Sequence, residues 1–159
     1  MKVKAVFQLL LYVAIPLAIG GMSGYFSADA TQGEWFMNLN KPSFNPPDSV
    51  FGPVWTVLYA LMGVSLFLIV RAEESLKRID AILVFCIQMF LNFWWSIFFF
   101  FFERPDVAFG EIVLLWLAII WMIAKFWKVR PVAAYLQIPY LLWVTFASVL
   151  NAAIWWLNK

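Results

Sequence analysis

Long apolar runs alternate with short polar breaks along the chain, the runs falling at about residues 5–26, 50–70, 80–102, 107–127 and 132–157. A helix needs roughly 20 apolar residues to cross a hydrocarbon core of about 30 Å, so each run is long enough to span with some tilt. The pattern predicts an all-α integral membrane bundle of five transmembrane helices, a single domain over 1–159. Breaks near 71–79, 103–106 and 128–131 are short, which makes consecutive helices antiparallel neighbours. Lys2 and Lys4 ahead of an apolar core, with Ala28-Asp29-Ala30 after it, also resemble a signal peptide, but the 5–26 run exceeds a signal core and reads as a span.

The remaining break, 27–49, has neither helical nor strand periodicity, and a connection of this length in a compact fold is usually functional or disordered. Trp35, Phe36, Met37, Leu39, Phe44 and Phe51 are too apolar for a solvated linker, while Pro42, Pro46 and Pro47 restrict the backbone. The expectation is a long ordered first loop, either a connector packed on the bundle mouth or a lid over a lipophilic pocket. Asp48 and Ser49 are candidate N-caps for the second span, and Pro53 fits its first turn if that span starts slightly later.

Composition agrees with the spans: 65% hydrophobic and 13% charged residues, with a mean hydropathy of +0.86, leave too little polar surface to coat a soluble globule. The net charge of +2 is spread over loop ends and no Gly-rich phosphate loop occurs, which argues against nucleic acid and nucleotides. Lys2, Lys4, Arg71, Lys77, Arg78, Lys125, Lys128 and Arg130 fall on one side of the bundle, against Lys41, Arg104 and Lys159 on the other. This bias puts the N-terminus in the cytoplasm and the first loop and C-terminus outside it. Helical spans suit a plasma or inner membrane.

Polar side chains inside spans are the informative ones, because an unpaired buried amide or hydroxyl costs a few kcal/mol. Gln88, Asn92 and Ser96 recur at i, i+4 and i+8 on the third span, with Trp95 and Phe99 on the same face. Tyr140, Trp143, Ala147 and Asn151 repeat the arrangement on the fifth span, and Phe51, Trp55, Tyr59 and Met62 on the second. Such stripes fit either interhelical hydrogen bonding or the wall of a cavity. Trp127, Phe126, Trp155 and Trp156 read as an interfacial belt, and the Phe98–Phe102 run as lipid or subunit contact. Gly20 and Gly24 predict close helix packing, and Cys86 a small buried hydrophobe.

The chain has no histidine, so it offers no imidazole as axial haem ligand, zinc ligand or catalytic base, and no metal site is expected. Glu73, Glu74, Glu103 and Asp106 sit at loop ends, where solvated flanks are expected, and no charge is read at the centre of a span.

Trp35, Leu39, Lys41-Pro42, Phe44, Pro46-Pro47, Phe51, Pro53-Val54-Trp55-Thr56, Leu58-Tyr59 and Met62-Gly63 resemble the first-loop and second-helix signature of the translocator protein or tryptophan-rich sensory protein family, also called peripheral-type benzodiazepine receptors. Gln88, Asn92, Trp94-Trp95 and Phe99, then Pro139-Tyr140, Leu142-Trp143 and Asn151, extend the match over essentially the whole chain. The resemblance implies a homodimeric five-helix bundle, with no obligatory cofactor, that binds porphyrins, haem and other planar lipophilic molecules or lipids. Carried over by position, Trp55, Tyr59, Asn92, Trp95, Trp143 and Ala147 would line the ligand cavity, with Phe44 above it; Gln88 and Tyr140 join the candidate ligand site from the stripes on their spans, and Lys41 is the candidate contact for a propionate at the mouth. The tyrosine that animal members place before a C-terminal basic residue is absent, since 149–159 offers only Trp155 and Trp156, so sterol binding is not carried over. The resemblance also implies a receptor or sensor, with light- and oxygen-dependent porphyrin degradation through Trp55 and Trp143, or transport, as alternatives.

Overall fold

The computed structural model describes residues 2–159. Helix α1 covers Lys2–Thr31, α2 Glu34–Met37, α3 Asp48–Val70, α4 Leu76–Ser96, α5 Pro105–Trp127, α6 Pro131–Tyr135 and α7 Ile138–Leu157. A π-helical turn, Ile97–Phe101, extends α4. Among the described residues five helical stretches are long and apolar enough to span a membrane: Val3–Ala28, Asp48–Val70, Leu76–Phe101, Pro105–Trp127 and Pro131–Leu157. No strand is present among them.

The expected long first loop is not evident. Ser27, Ala28 and Ala30 keep α1 helical to Thr31, whose hydroxyl donates to the Ala28 carbonyl at 2.8 Å. Four residues then form α2, and the irregular chain shrinks to residues 38–47. A run of small residues and one terminal hydroxyl continue the helix where apolar periodicity has already lapsed.

Short polar punctuation sets the other ends. Ser75 caps α4 by accepting from the Arg78 N–H at 3.2 Å. Pro105 and Pro131 open α5 and α6 in the first turn, where a missing N–H costs nothing. At α3 neither candidate cap acts as one: Pro47 precedes the first turn without a side-chain bond, Asp48 is already helical, and Pro53 lies inside the helix.

The main core fills the end of the bundle away from the 38–47 segment. Met62, Ile69, Val84, Phe85, Ile112, Leu115, Ile119, Met122, Phe126 and Val144 form one buried cluster from α3, α4, α5 and α7. Phe126 is therefore core, stacked on Phe85 at 6.3 Å, and not part of an interfacial belt. Trp127 and Trp156 remain exposed, as a belt requires. Cys86 is exposed on the lipid-facing side of α4, contrary to its expected burial: it lies two residues from both the buried Val84 and the buried Gln88, on the opposite helix face.

Helix α1 packs along α3 and is the most exposed span, 6% of its apolar window being buried against 33–44% in the other four. Gly63 is where the two backbones meet: a Cβ there would lie 2.4 Å from the Val13 Cα. Only glycine permits that approach.

Candidate functional site

At the other end the helices enclose a cavity of about 550 Å³, lined by α1, α2, α3, α4, the π-turn, α7 and the 38–47 segment. That volume lies within the roughly 300–1,000 Å³ of small-molecule sites. Its centre is Trp55, an α3 side chain stacked on Tyr59 one turn below, with centroids 5.4 Å apart and planes at 26°. Trp95 on α4 stands 6.4 Å from Trp55 and leads to Phe99 at 5.8 Å and Phe100 at 6.2 Å. Phe100 in turn meets Phe36 of α2 at 5.7 Å. One continuous aromatic wall thus runs from α3 around to the first connection.

The π-turn carries the far end of that wall, with Phe99 and Phe100 both in the cavity lining. Ser96, at the junction, shares a hydrogen bond with Ser27 of α1, and Ser27 also donates to the Ser23 carbonyl at 2.8 Å. Part of the Phe98–Phe102 run is therefore interior, while Phe101 and Phe102 remain exposed as the sequence suggested.

Below Trp55 lies a buried chain of polar bonds. The Tyr59 hydroxyl donates to Asn92 Oδ1 at 2.7 Å, Asn92 Nδ2 donates to the Tyr140 hydroxyl at 3.0 Å, and that hydroxyl donates to Gln88 Oε1 at 3.0 Å. Nearer the mouth, the Trp95 indole N–H donates to Asn151 Oδ1 at 3.0 Å, and Asn151 Nδ2 donates to the Pro105 carbonyl at 2.8 Å. These bonds tie α3, α4 and α7 together and fix the planes of Tyr59 and Trp95. The two readings of the polar stripe are thus compatible: Asn92 both holds helices together and faces the cavity.

Of the residues expected in the ligand site, Lys41, Trp55, Tyr59, Asn92, Trp95 and Ala147 line the cavity together, joined by Phe51, Ser96, Phe99 and Asn151 from the same stripes. Gln88 and Tyr140 stand behind Asn92 in the bonded chain, and neither is part of the lining. Trp143 packs behind Phe51 at 5.8 Å and against Phe146 at 5.6 Å, while Phe44 covers Phe146 at 6.4 Å from outside. Lys41 Nζ lies 3.9 Å from the centroid of the Phe36 ring, at the polar rim that also holds Asn45 and Asp48.

Sequence reasoning missed the α1 wall, formed by Leu17, Gly20, Ser23, Gly24, Ser27 and Thr31. The i, i+4, i+8 spacing of Ser23, Ser27 and Thr31 was the available signal. Gly20 does pack closely, since its Cβ would lie 2.1 Å from the Tyr59 ring, but nothing approaches within 4 Å of a Cβ at Gly24. Glu111 was missed as well: it lies inside α5, is buried, and neither carboxyl oxygen has a hydrogen-bond partner among the described residues. The flanking carboxylates do sit at loop ends, Glu74 paired with Arg78 at 2.9 Å and Asp106 with Arg104 at 2.6 Å. No group of three potential metal ligands occurs among the described residues.

These features define a class: an integral membrane helix bundle with an aromatic-lined chamber at one end. The TspO/MBR family model matches residues 12–157, and the chain belongs to that family. It is 36% identical over 156 residues to the tryptophan-rich protein TspO of Chlorobaculum tepidum, covering 98% of both chains. It is 37% identical to the tryptophan-rich protein TspO of Archaeoglobus fulgidus, covering 96% of this chain and 98% of the relative. Human translocator protein is 32% identical over 123 residues, 76% of this chain and 73% of its own.

Proposed function

We propose that this protein is a membrane receptor or sensor that binds porphyrins, haem or similar planar lipophilic molecules in the α3/α4/α7 chamber. The observation that carries the reading is the continuous aromatic wall centred on the Trp55–Tyr59 stack, in a cavity of about 550 Å³. Burying a face of about 500 Å² is worth roughly 12 kcal/mol from water at 25 cal/mol per Å², but a ligand dissolved in lipid has already gained most of that. Selection then rests on shape, ring stacking and a few polar contacts. Trp55 and Trp95 supply the stacking, Asn92 and Asn151 lie within the lining as polar groups, and Lys41 supplies a cation at the rim for a carboxylate. Phe36 and the 38–47 segment serve as the roof. With no histidine in the chain, haem binds without an imidazole ligand, by its face and its carboxylates.

Quenching of tryptophan fluorescence by protoporphyrin tests this. Trp55→Ala is expected to weaken binding about tenfold or more, as central aromatic anchors do. Trp143→Ala, one layer behind the wall, is expected to cost less. Unchanged affinity in Trp55→Ala removes the chamber from consideration.

A second reading, light- and oxygen-dependent porphyrin breakdown, draws on the contiguity of Trp55, Tyr59 and Trp95, which could exchange electrons with an excited ring. Bleaching into a defined product that depends on Trp55 distinguishes it from plain binding. For the assembly and setting we propose a homodimer in a plasma or inner membrane, with the N-terminus cytoplasmic and the chamber on the extracytoplasmic side.

A further inference from the structure

Helices α1 and α3 touch along one stripe that changes character partway. At the closed end Gly63 of α3 meets the Val13 backbone, and a little further along Gly20 of α1 lies under the Tyr59 ring. Continued by helical spacing, the same stripe passes through Thr56 and Gly52 on α3, seven and eleven residues before Gly63, and through Gly24 on α1, eleven after Val13. Here the contact ends. A Cβ built on Gly21, Gly24 or Gly52 meets nothing within 4 Å, and all three positions line the cavity while remaining exposed.

The residues flanking this gap face outward within the spans. On α1 they are Met22, 57% exposed, and Tyr25, 74% exposed; on α3, Val57, 59% exposed. Apolar side chains of this size, exposed on spanning helices, sit against acyl chains. Phe36 of α2 and Lys41 line the same chamber. The chamber thus has a side opening between two lipid-facing edges.

We infer that the gap bounded by Gly21 and Gly24 of α1 and Gly52 and Thr56 of α3 is a lateral portal, through which a lipophilic ligand moves between the bilayer and the chamber. The inference rests on the proposed ligand-binding reading and adds the route. Apolar ligands are concentrated in the membrane, and a side opening spares them a passage through water. Glycines on both edges keep the opening wide, and the closed stripe at Gly63 and Gly20 holds the helices together while it stays open.

Stopped-flow quenching in proteoliposomes, with protoporphyrin delivered from vesicles, tests the route. Leucines in a Gly24→Leu, Gly52→Leu double variant enter open space and add helix propensity, so the bundle is expected to fold. Association and dissociation are both expected to slow about tenfold or more, because an obstructed passage changes rates in step. An association rate within about twofold of the parent overturns the portal, as does a loss of affinity carried by faster dissociation alone. A second measurement needs no porphyrin: a nitroxide on Thr56→Cys, in a Cys86→Ala background, is expected to collide freely with dissolved oxygen and poorly with a water-soluble nickel chelate. Preferential collision with the chelate, or shielding from both by a second copy of the chain, overturns the portal. If the parent protein fails to bind protoporphyrin, the ligand reading falls and the nitroxide result alone decides whether the opening faces lipid.

Discussion

The two ends of this bundle are built on opposite principles. At the end away from the 38–47 segment, α3, α4, α5 and α7 interlock around Met62, Ile69, Ile119, Met122 and Phe126, all fully buried, and α1 is pressed against α3 at Gly63. At the other end a smaller cluster, Phe36, Phe99, Ala108, Leu150 and Ile154, surrounds a chamber, and α1 stands off from α3. A chamber in a membrane bundle needs such a division, because helix association in lipid depends on close packing and polar bonds, with no hydrophobic drive to draw separated helices together. The closed end holds the helices so that the open end can stay apart.

The sharpest way to break the comparison is to make the same kind of change at both ends. Gly63→Ala drives a methyl into the Val13 backbone, which cannot give way as a flexible side chain would. A loss of about 3 kcal/mol or more is expected, at the upper end of overpacking costs. Gly24→Ala adds a methyl where nothing lies within 4 Å, and is expected to be neutral or slightly stabilising through helix propensity. Denaturant unfolding in mixed micelles reads both. Equal costs at the two positions would falsify the division.

Asn92 stands at the boundary, and its effect is expected to be intermediate. Asn92→Leu leaves the Tyr59 hydroxyl without its acceptor and removes the donor to Tyr140, although Tyr140 keeps its bond to Gln88. Stability is expected to fall by about 1–2 kcal/mol, the usual cost of an orphaned buried hydroxyl. Adding Tyr59→Phe should recover part of that loss, because the orphan is then gone. A double variant as unstable as the sum of the two single ones shows that no such bond holds the boundary.

The spans were far more legible in the sequence than the walls of the chamber. Apolar runs announce spans because every residue contributes to the same signal, and the family resemblance of the Lys41 to Gly63 segment followed from its unusual residues. The i, i+4 recurrence of Gln88, Asn92 and Ser96 marked a real inward face, yet spacing alone could not say that Asn92 reaches the chamber while Gln88 stands behind it. Trp143 and Phe44 share the aromatic character of Trp55, but Trp143 packs on Phe51 and Phe44 on Phe146, and neither of the two joins the lining. The π-turn left no periodic trace, since five phenylalanines are apolar on every face. Helix α1 was hardest to read: its glycines predict close packing wherever they fall, and only three-dimensional divergence distinguishes Gly20 from Gly24.

The smallest expected effect lies at the rim of the open end. Lys41 places its ammonium 3.9 Å from the centre of the Phe36 ring and lines the chamber mouth, so its charge is held near the roof by an aromatic face. A partly exposed cation pairing with a ligand carboxylate contributes about 0.5–1 kcal/mol, a few-fold in affinity. Lys41→Gln keeps much of the length and removes the charge. Protoporphyrin, with two carboxylates, should therefore bind a few-fold more weakly, while its dimethyl ester should bind the variant and the parent alike. The difference should shrink as salt is raised, since a rim pair is screened. If acid and ester lose affinity equally, the side chain matters through its packing on Phe36, and the open end selects its ligand by shape alone.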